Sequence, residues 1–240
     1  MVFDNNKKNL LLFITHNFQP LFIKRLAEIN ENLPKNIKVI VLFDAKNNYD
    51  SSISKKFPNI EIIKIHKIKT SYDHLGHTLY IHYLLKQKEK LDEFNYIWVI
   101  ENDVYFHGNL LSLVQEQNDH FYDLLVPEYG LREPSWIISK NLLGFQNIEN
   151  IGILGVIMRF SSNCMNLLLK QIDKTYSGFF EALLPNFCKE NNLSIQQFLP
   201  RFIGIVTTDK NNPLIKLIHH DIHSYGALIQ EKKLYHPIKA

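Results

Sequence analysis

The sequence predicts an α/β fold: a single domain on a mostly parallel central sheet flanked by helices, with a more mixed second half. Three observations carry this expectation. Short apolar runs of strand length alternate with longer segments whose apolar residues recur at helical spacing. The runs are nearly continuous in hydrophobicity, as strands covered on both faces are. Each run then ends in polar, hydrogen-bonding residues, at the edge where open α/β sheets place their ligands.

In chain order, residues 10–15 (LLLFIT) read as the first strand. A helix follows over Pro20–Asn32, where Leu21, Phe22, Leu26 and Ile29 fall on one stripe. Ile37–Asp44 (IKVIVLFD) is the second strand. Residues 60–65 (IEIIKI) are the third, after a turn holding Pro58. A second helix is expected over 74–90, with Leu75, Leu79, Tyr80, Tyr83 and Leu84 on its buried face. Residues 96–100 (YIWVI) form the fourth and most hydrophobic strand. Beyond it, 123–127 (DLLVP) and 152–160 (GILGVIMRF) read as strands, and 161–172 and 178–191 as helices. Pro185 makes the last of these start late, kink or break. The polar stretches 46–52 and 209–213 read as loops. No internal repeat, linker or composition break divides the chain.

Composition narrows the function. A chain of 240 residues suits one large domain or at most two small ones. Hydrophobic residues at 45% and charged residues at 21% exclude disordered and collagen-like classes. A net charge of +3 is too small to imply nucleic acid as a partner. Two cysteines, Cys164 and Cys188, cannot build a disulfide framework or a cysteine-rich zinc site; in their apolar helical settings they read as core residues. The longest apolar runs fall far short of the ~20 residues of a membrane span. With no apolar signal-peptide region at the start, a cytoplasmic location is expected, and Lys55 and Lys56 leave a peripheral membrane contact open. There is no Gly-x-Gly-x-x-Gly, no P-loop and no serine or cysteine nucleophile motif.

The sharpest feature is YIWVIENDVYFHGN, residues 96–109, where a buried strand runs into Glu101 and Asp103 flanking Asn102. Two carboxylates at one strand tip repel, and a crevice screens that repulsion poorly. A hard divalent ion with oxygen ligands, Mg²⁺ or Mn²⁺, answers this, with water and substrate phosphate completing its shell. A second carboxylate, Glu181, stands alone in the apolar segment SGFFEALLPNFC, residues 177–188. Burial without partners is costly, and an acid whose pKa is raised in this way can serve as a general base. Glu128 and Glu133 are its rivals from nearby loops.

The hydrophobic strand followed by Glu-Asn-Asp resembles the acid-x-acid (DxD) motif of glycosyltransferases with the GT-A fold. The order of parts is similar too: residues 1–105 as a nucleotide-sugar-binding half, then 106–240 as an acceptor half with a C-terminal tail. What the resemblance implies is glycosyl transfer from a nucleoside diphosphate sugar of UDP or GDP type to a glycan or glycoconjugate acceptor. Thr15, His16 and Asn17 would then lie against base and ribose, with Asp44 bonding either. Asp73, His74 and His77 would face the nucleotide, and Asn102 would touch the donor. Asp103 would ligate the ion bridging the diphosphate, with Glu101 ligating directly or through water or ribose. Many GT-A enzymes also place a C-terminal histidine on the metal, which nominates His236 in LYHPIK, and neutral imidazole suits Mn²⁺ better than Mg²⁺. Lys232, Lys233 and Lys239 would pair with the diphosphate or form a solvated run. A separate cluster holds His219, His220, Asp221 and His223, without the HExxH zinc-protease spacing. In inverting GT-A enzymes an acid of the acceptor half deprotonates the acceptor hydroxyl, the place that Glu181 resembles. Two alternatives stand beside this: another metal-dependent nucleotide or phosphate-ester enzyme (a nucleotidyltransferase or phosphohydrolase), and a non-catalytic domain of transferase-like fold. Residues 13–20 (FITHNFQP) lack the glycine-rich phosphate loop expected of a nucleotidyltransferase.

Overall fold

The computed structural model describes residues 8–44, 52–66, 78–118, 120–132, 142–172, 175–206 and 233–236. The first part of the chain lays down β1 (Lys8–Thr15), α1 (Pro20–Asn32), β2 (Ile37–Asp44), α2 (Ser52–Lys56), β3 (Glu61–Ile65), α3 (Thr78–Lys86) and β4 (Phe94–Glu101). Then come β5 (Tyr105–His107), α4 (Leu110–Glu116), β6 (Leu124–Val126), β7 (Tyr129–Leu131), β8 (Ile151–Ile153), β9 (Ile157–Ser161), α5 (Ser162–Gln171) and α6 (Phe180–Glu190). Short strands β10 (Ile195–Gln197), β11 (Ile203–Val206) and β12 (Lys233–His236) follow.

The predicted α/β architecture is present. Seven strands form one sheet in the order β10-β6-β9-β4-β1-β2-β3. The run from β4 to β3 is parallel throughout, while β9 lies antiparallel between β4 and β6. Strands of both halves of the chain therefore share the sheet. Alternate residues of each central strand enter opposite cores, as the two-residue period of a strand requires. Leu10, Leu12, Ile40, Leu42, Ile97 and Val99 pack with α3, α5 and α6. Their neighbours Leu11, Phe13, Val39, Val41, Trp98 and Ile100 pack under α1 and α4. Burial on both faces explains the unbroken hydrophobicity of these strands.

The sequence and the structure differ at several elements. α3 stops at Lys86, and a 3₁₀ turn over Lys88–Glu93 replaces the expected continuation to residue 90. That charged stretch buries Leu91 alone, which is too little for a helical stripe. The start of the expected helix, with Asp73, His74 and His77, lies outside the described residues. Ser52, expected in a loop, opens the short helix α2, whose Lys55 and Lys56 are exposed. The run 152–160 is not one strand: it breaks at a turn over 154–156, so that β8 pairs with β7 while β9 joins the main sheet. α6 does start late, at Phe180, but passes through buried Pro185 to Glu190 without a break.

One buried cation ties the second half to the sheet. Arg159 on β9 is fully buried, with its guanidinium 3.9 Å from the centre of the Tyr96 ring. It donates to the carbonyls of Gln117, His120 (2.6 Å) and Tyr122 (3.0 Å), clamping the segment after α4. Burial pulls its pKa down to about 10, so it stays charged at neutral pH. Deleting one side of such a desolvated network strands its partners, which costs roughly 3–5 kcal/mol. Arg159→Met is therefore expected to lower the unfolding free energy in urea by about that amount. A loss under about 1 kcal/mol would show that the clamp does not hold the segment.

Candidate functional site

The carboxyl ends of β1, β2 and β4 lie side by side, because β1 pairs in parallel with both neighbours. Ile14 stands opposite Glu101 and Thr15 opposite Phe43, which puts Thr15, Asp44 and Glu101 along one edge. Asn102 stitches this edge together. Its backbone N–H donates to the carbonyl of Ile14 at 3.1 Å, and its amide donates to Asn17 Oδ1 at 3.3 Å. The buried Thr15 hydroxyl accepts from the N–H of Asn17 at 3.1 Å. Asn102 is itself buried, so it serves here as a positioning residue between two strand ends. His16 is exposed, and Asp44 is half-buried at the end of β2.

Glu101 and Asp103 flank that inward-turned asparagine on a tight turn closed by the N–H of Val104 to the carbonyl of Glu101, at 3.2 Å. The chain then enters β5, which pairs antiparallel with β12 in the register Tyr105–Tyr235, Phe106–Leu234 and His107–Lys233. One step further along β12 is His236, delivered beside the turn from more than a hundred residues away in sequence. Its Nε2 lies 3.3 Å from Asp103 Oδ1 and 3.4 Å from Glu101 Oε2. β12 is held on its other side by β11, where Gly204 matters: a Cβ there would stand 2.7 Å from the Tyr235 ring and 2.9 Å from the Leu234 carbonyl.

The donor set fits a divalent ion. One ligand atom from each of Glu101, Asp103 and His236 lies within 4.8 Å of the others. Two donors opposite one another on an ion of Mn²⁺ size are about 4.3 Å apart, so small rotations close the set. Two carboxylates and an imidazole favour Mn²⁺ over Mg²⁺ and leave the remaining positions to water and a ligand. His236 already answers the two acids as a cation. Burial alone would lower its pKa, but hydrogen bonds and charge from Asp103 and Glu101 outweigh burial and raise it from 6.5 to about 9.

Glu181 sits in the first turn of α6 and accepts the N–H of Gly155 at 3.0 Å. The next residue, Val156, accepts the N–H of Glu101 at 2.9 Å. The turn over 154–156 thus holds the strand tip of one acid and the carboxylate of the other. Burial raises the pKa of Glu181, against the opposing Gly155 hydrogen bond, and the charge of Glu101 raises it further. Among its rivals, Glu128 is exposed and paired with Arg132, and Glu133 lies outside the described residues. So do Lys232, Lys239 and the cluster of His219, His220, Asp221 and His223; Lys233 is half-buried on β12.

Two features of this region had weak sequence signals. Gly155 is the one hint of the break between β8 and β9. Arg25 falls on the buried stripe of α1, three residues after Phe22 and four before Ile29.

No protein-family model matches the chain, and no curated protein matches it by sequence. Among solved structures it is similar to a 4-diphosphocytidyl-2C-methyl-D-erythritol synthase, at 12% identity and a TM-score of 0.46, over 88% of this chain and 99% of that one. No helix among the described residues is long and apolar enough to cross a membrane.

The raised pKa of His236 has a definite sign. Protonated His236 contributes stability that is fully present below pH 6.5 and lost as pH rises through about 9. A metal must displace that proton, so Mn²⁺ binding at pH 7 is expected to release one proton and to tighten towards pH 9. Calorimetry in buffers of different ionisation enthalpy reads this directly. His236→Gln is expected to abolish the proton release; an unchanged release would place the titrating group elsewhere.

Proposed function

We propose that this chain is a metal-assisted transferase acting on a nucleotide-activated donor, and that the group it moves is a glycosyl group from a nucleoside diphosphate sugar. The observation that supports this reading is the convergence of Glu101, Asp103 and His236 at the carboxyl edge of parallel strands, with Glu181 tied to the same edge through the 154–156 turn. A divalent ion bound by those three residues would neutralise charge developing on the leaving diphosphate.

The chain's own groups then take these roles. Thr15, His16, Asn17 and Asp44 line the edge on the β1 and β2 side and bind base and ribose. Asn102 keeps the ends of β1 and β4 in register so that the acids point outward. Asp73, His74 and His77 belong to this reading as donor contacts from the resemblance alone. Glu181, whose carboxylate is oriented by Gly155, accepts the proton of an acceptor hydroxyl on a glycan or glycoconjugate as that oxygen attacks the anomeric carbon in line, which inverts the configuration.

Nucleotidyl transfer from a nucleoside triphosphate is the second reading. The same donor set would serve it, since three protein ligands leave positions on an ion for a triphosphate as readily as for a diphosphate. The connection from Thr15 to Pro20 lacks the glycine expected of a phosphate-cradling loop, which weighs for the first reading.

Thermal shift with UDP, GDP and CTP, each with and without Mn²⁺, followed by product analysis, tests both. Metal-dependent stabilisation by UDP or GDP with sugar release from the matching donor supports glycosyl transfer. Pyrophosphate release from CTP or another triphosphate supports the second reading, and no response to any nucleotide refutes both. Asp103→Ala is expected to abolish the metal-dependent shift while the far-UV spectrum stays unchanged. Glu181→Gln is expected to lower kcat by about 10²–10⁴-fold with donor affinity unaltered. In the parent protein kcat is expected to fall as pH drops through the raised pKa of Glu181, and this limb should vanish in the variant. Unchanged turnover in Glu181→Gln would remove it as the base.

A further inference from the structure

A cavity of about 380 Å³ opens between α1 and the turn that joins β5 to α4, and Glu101, Asp103 and His236 are not among its lining residues. Its size falls within the range of small-molecule pockets. Leu21, Lys24, Arg25 and Glu28 of α1 form one wall, and Tyr105 and His107 of β5 the other. Those two rings share one face of β5, with centroids 6.1 Å apart and the Tyr105 hydroxyl 3.3 Å from His107 Nδ1. Gly108, at φ 135, turns the chain at the rim in a conformation that side chains disfavour, and Asn109 follows. The Oδ1 of Asn109 accepts from the N–H groups of Leu111 and Ser112.

Arg25 is the group that needs explaining. It is only 8% exposed, yet among the described residues its guanidinium makes no hydrogen bond and no ion pair. Its sole close partner is the Tyr105 ring, 5.8 Å from the guanidinium carbon to the ring centre, with the charges of Glu28 and Asp103 acting from further off. A guanidinium this deep, with five donors and no acceptor among the described residues, opens on to the cavity that it lines. Burial lowers its pKa only to about 10, so it remains a cation at neutral pH. Methionine or leucine would fill the same place on α1 without a charge. Lys24 and Arg25 against Glu28 leave this wall with a formal excess of one positive charge.

We propose that this cavity is a second ligand pocket, in which Arg25 receives the oxyanion of a small phosphorylated or carboxylated molecule in the bidentate manner that guanidinium groups favour. Lys24 adds charge at the rim. Tyr105, His107 and the amide of Asn109 supply hydrogen bonds to the body of the ligand, and Glu28 accepts from its hydroxyl groups. The pocket does not depend on the proposed transfer reaction.

The test uses the whole chain without metal or nucleotide. Inorganic phosphate and, in a parallel arm, acetate are titrated at constant ionic strength and followed by calorimetry and thermal shift. Saturable binding of either is expected, phosphate-only binding assigning a phosphoryl ligand and acetate-only binding a carboxylate. Arg25→Met is expected to weaken that binding by about tenfold or more, the loss of a charged hydrogen-bond pair. Leu21→Trp, which keeps the guanidinium and fills the volume, should weaken it as well and serves if Arg25→Met fails to fold. Asp103→Ala, by contrast, should retain it. No saturable binding to the parent protein, equal binding to both pocket variants, or loss of binding in Asp103→Ala would overturn the proposal.

Discussion

Two carboxylates fixed at one strand tip cannot share a half-buried turn without a positive partner, and the arrangement of the second half of the chain answers that constraint. Glu101 and Asp103 are forced together because Asn102 turns inward to bond β1. Their repulsion is offset by His236, brought between them as a cation. This places a requirement on elements that touch neither acid. β5 must turn back to form the lane in which β12 lies, and β11 must approach closely enough that only glycine fits at residue 204. On the proposed function, a metal ion would take the place of that proton, since both satisfy the same two acids.

The sheet gives that balance a rigid base. Central strands buried on both faces leave little room for β4 to shift, and the register between β1 and β4 sets where the acid pair ends up. The antiparallel strand β9 then carries two opposite kinds of polar group. At one end, the 154–156 turn orders Glu181 and the backbone of Glu101. Further along, both terminal nitrogens of Arg159 donate to carbonyls and fix the segment after α4. Arg25 is its counterpoint: it carries the same charge but lines a cavity, and among the described residues it has no hydrogen-bond acceptor.

Much of the first half was legible in the sequence because local patterns coincide with tertiary roles there. The bounds of α1 follow from Pro20 at its start and the stripe of Phe22, Leu26 and Ile29, while β1, β2 and β4 are marked by apolar runs that end in polar residues. The acid pair could be named from its own chemistry, whereas His236 was nominated by the resemblance to GT-A endings. Other features left a weak or misleading local trace. Leu154 and Val156 in the turn between β8 and β9 are as buried as the strands they join, so hydrophobicity does not dip where the chain bends. β5 and β12 hold three and four residues and find each other across most of the second half, which no window of sequence reports. Pro185 signalled an interruption that tertiary packing overrides, since α6 is buried along nearly its whole length. Arg25 was hidden by its own helix, reading as a polar gap in an apolar stripe.

The placement of His236 on the final described strand has a consequence for how the protein is made. While the chain is still emerging from the ribosome, the first sheet strands and both acids are available long before the imidazole that reconciles them. Until β12 docks, the nascent site carries an uncompensated double negative charge beside a forming core. On the proposed function, capture of a metal ion would be a late event in biosynthesis. A chain cut short before residue 233 would leave Glu101 and Asp103 without the imidazole that lies against both.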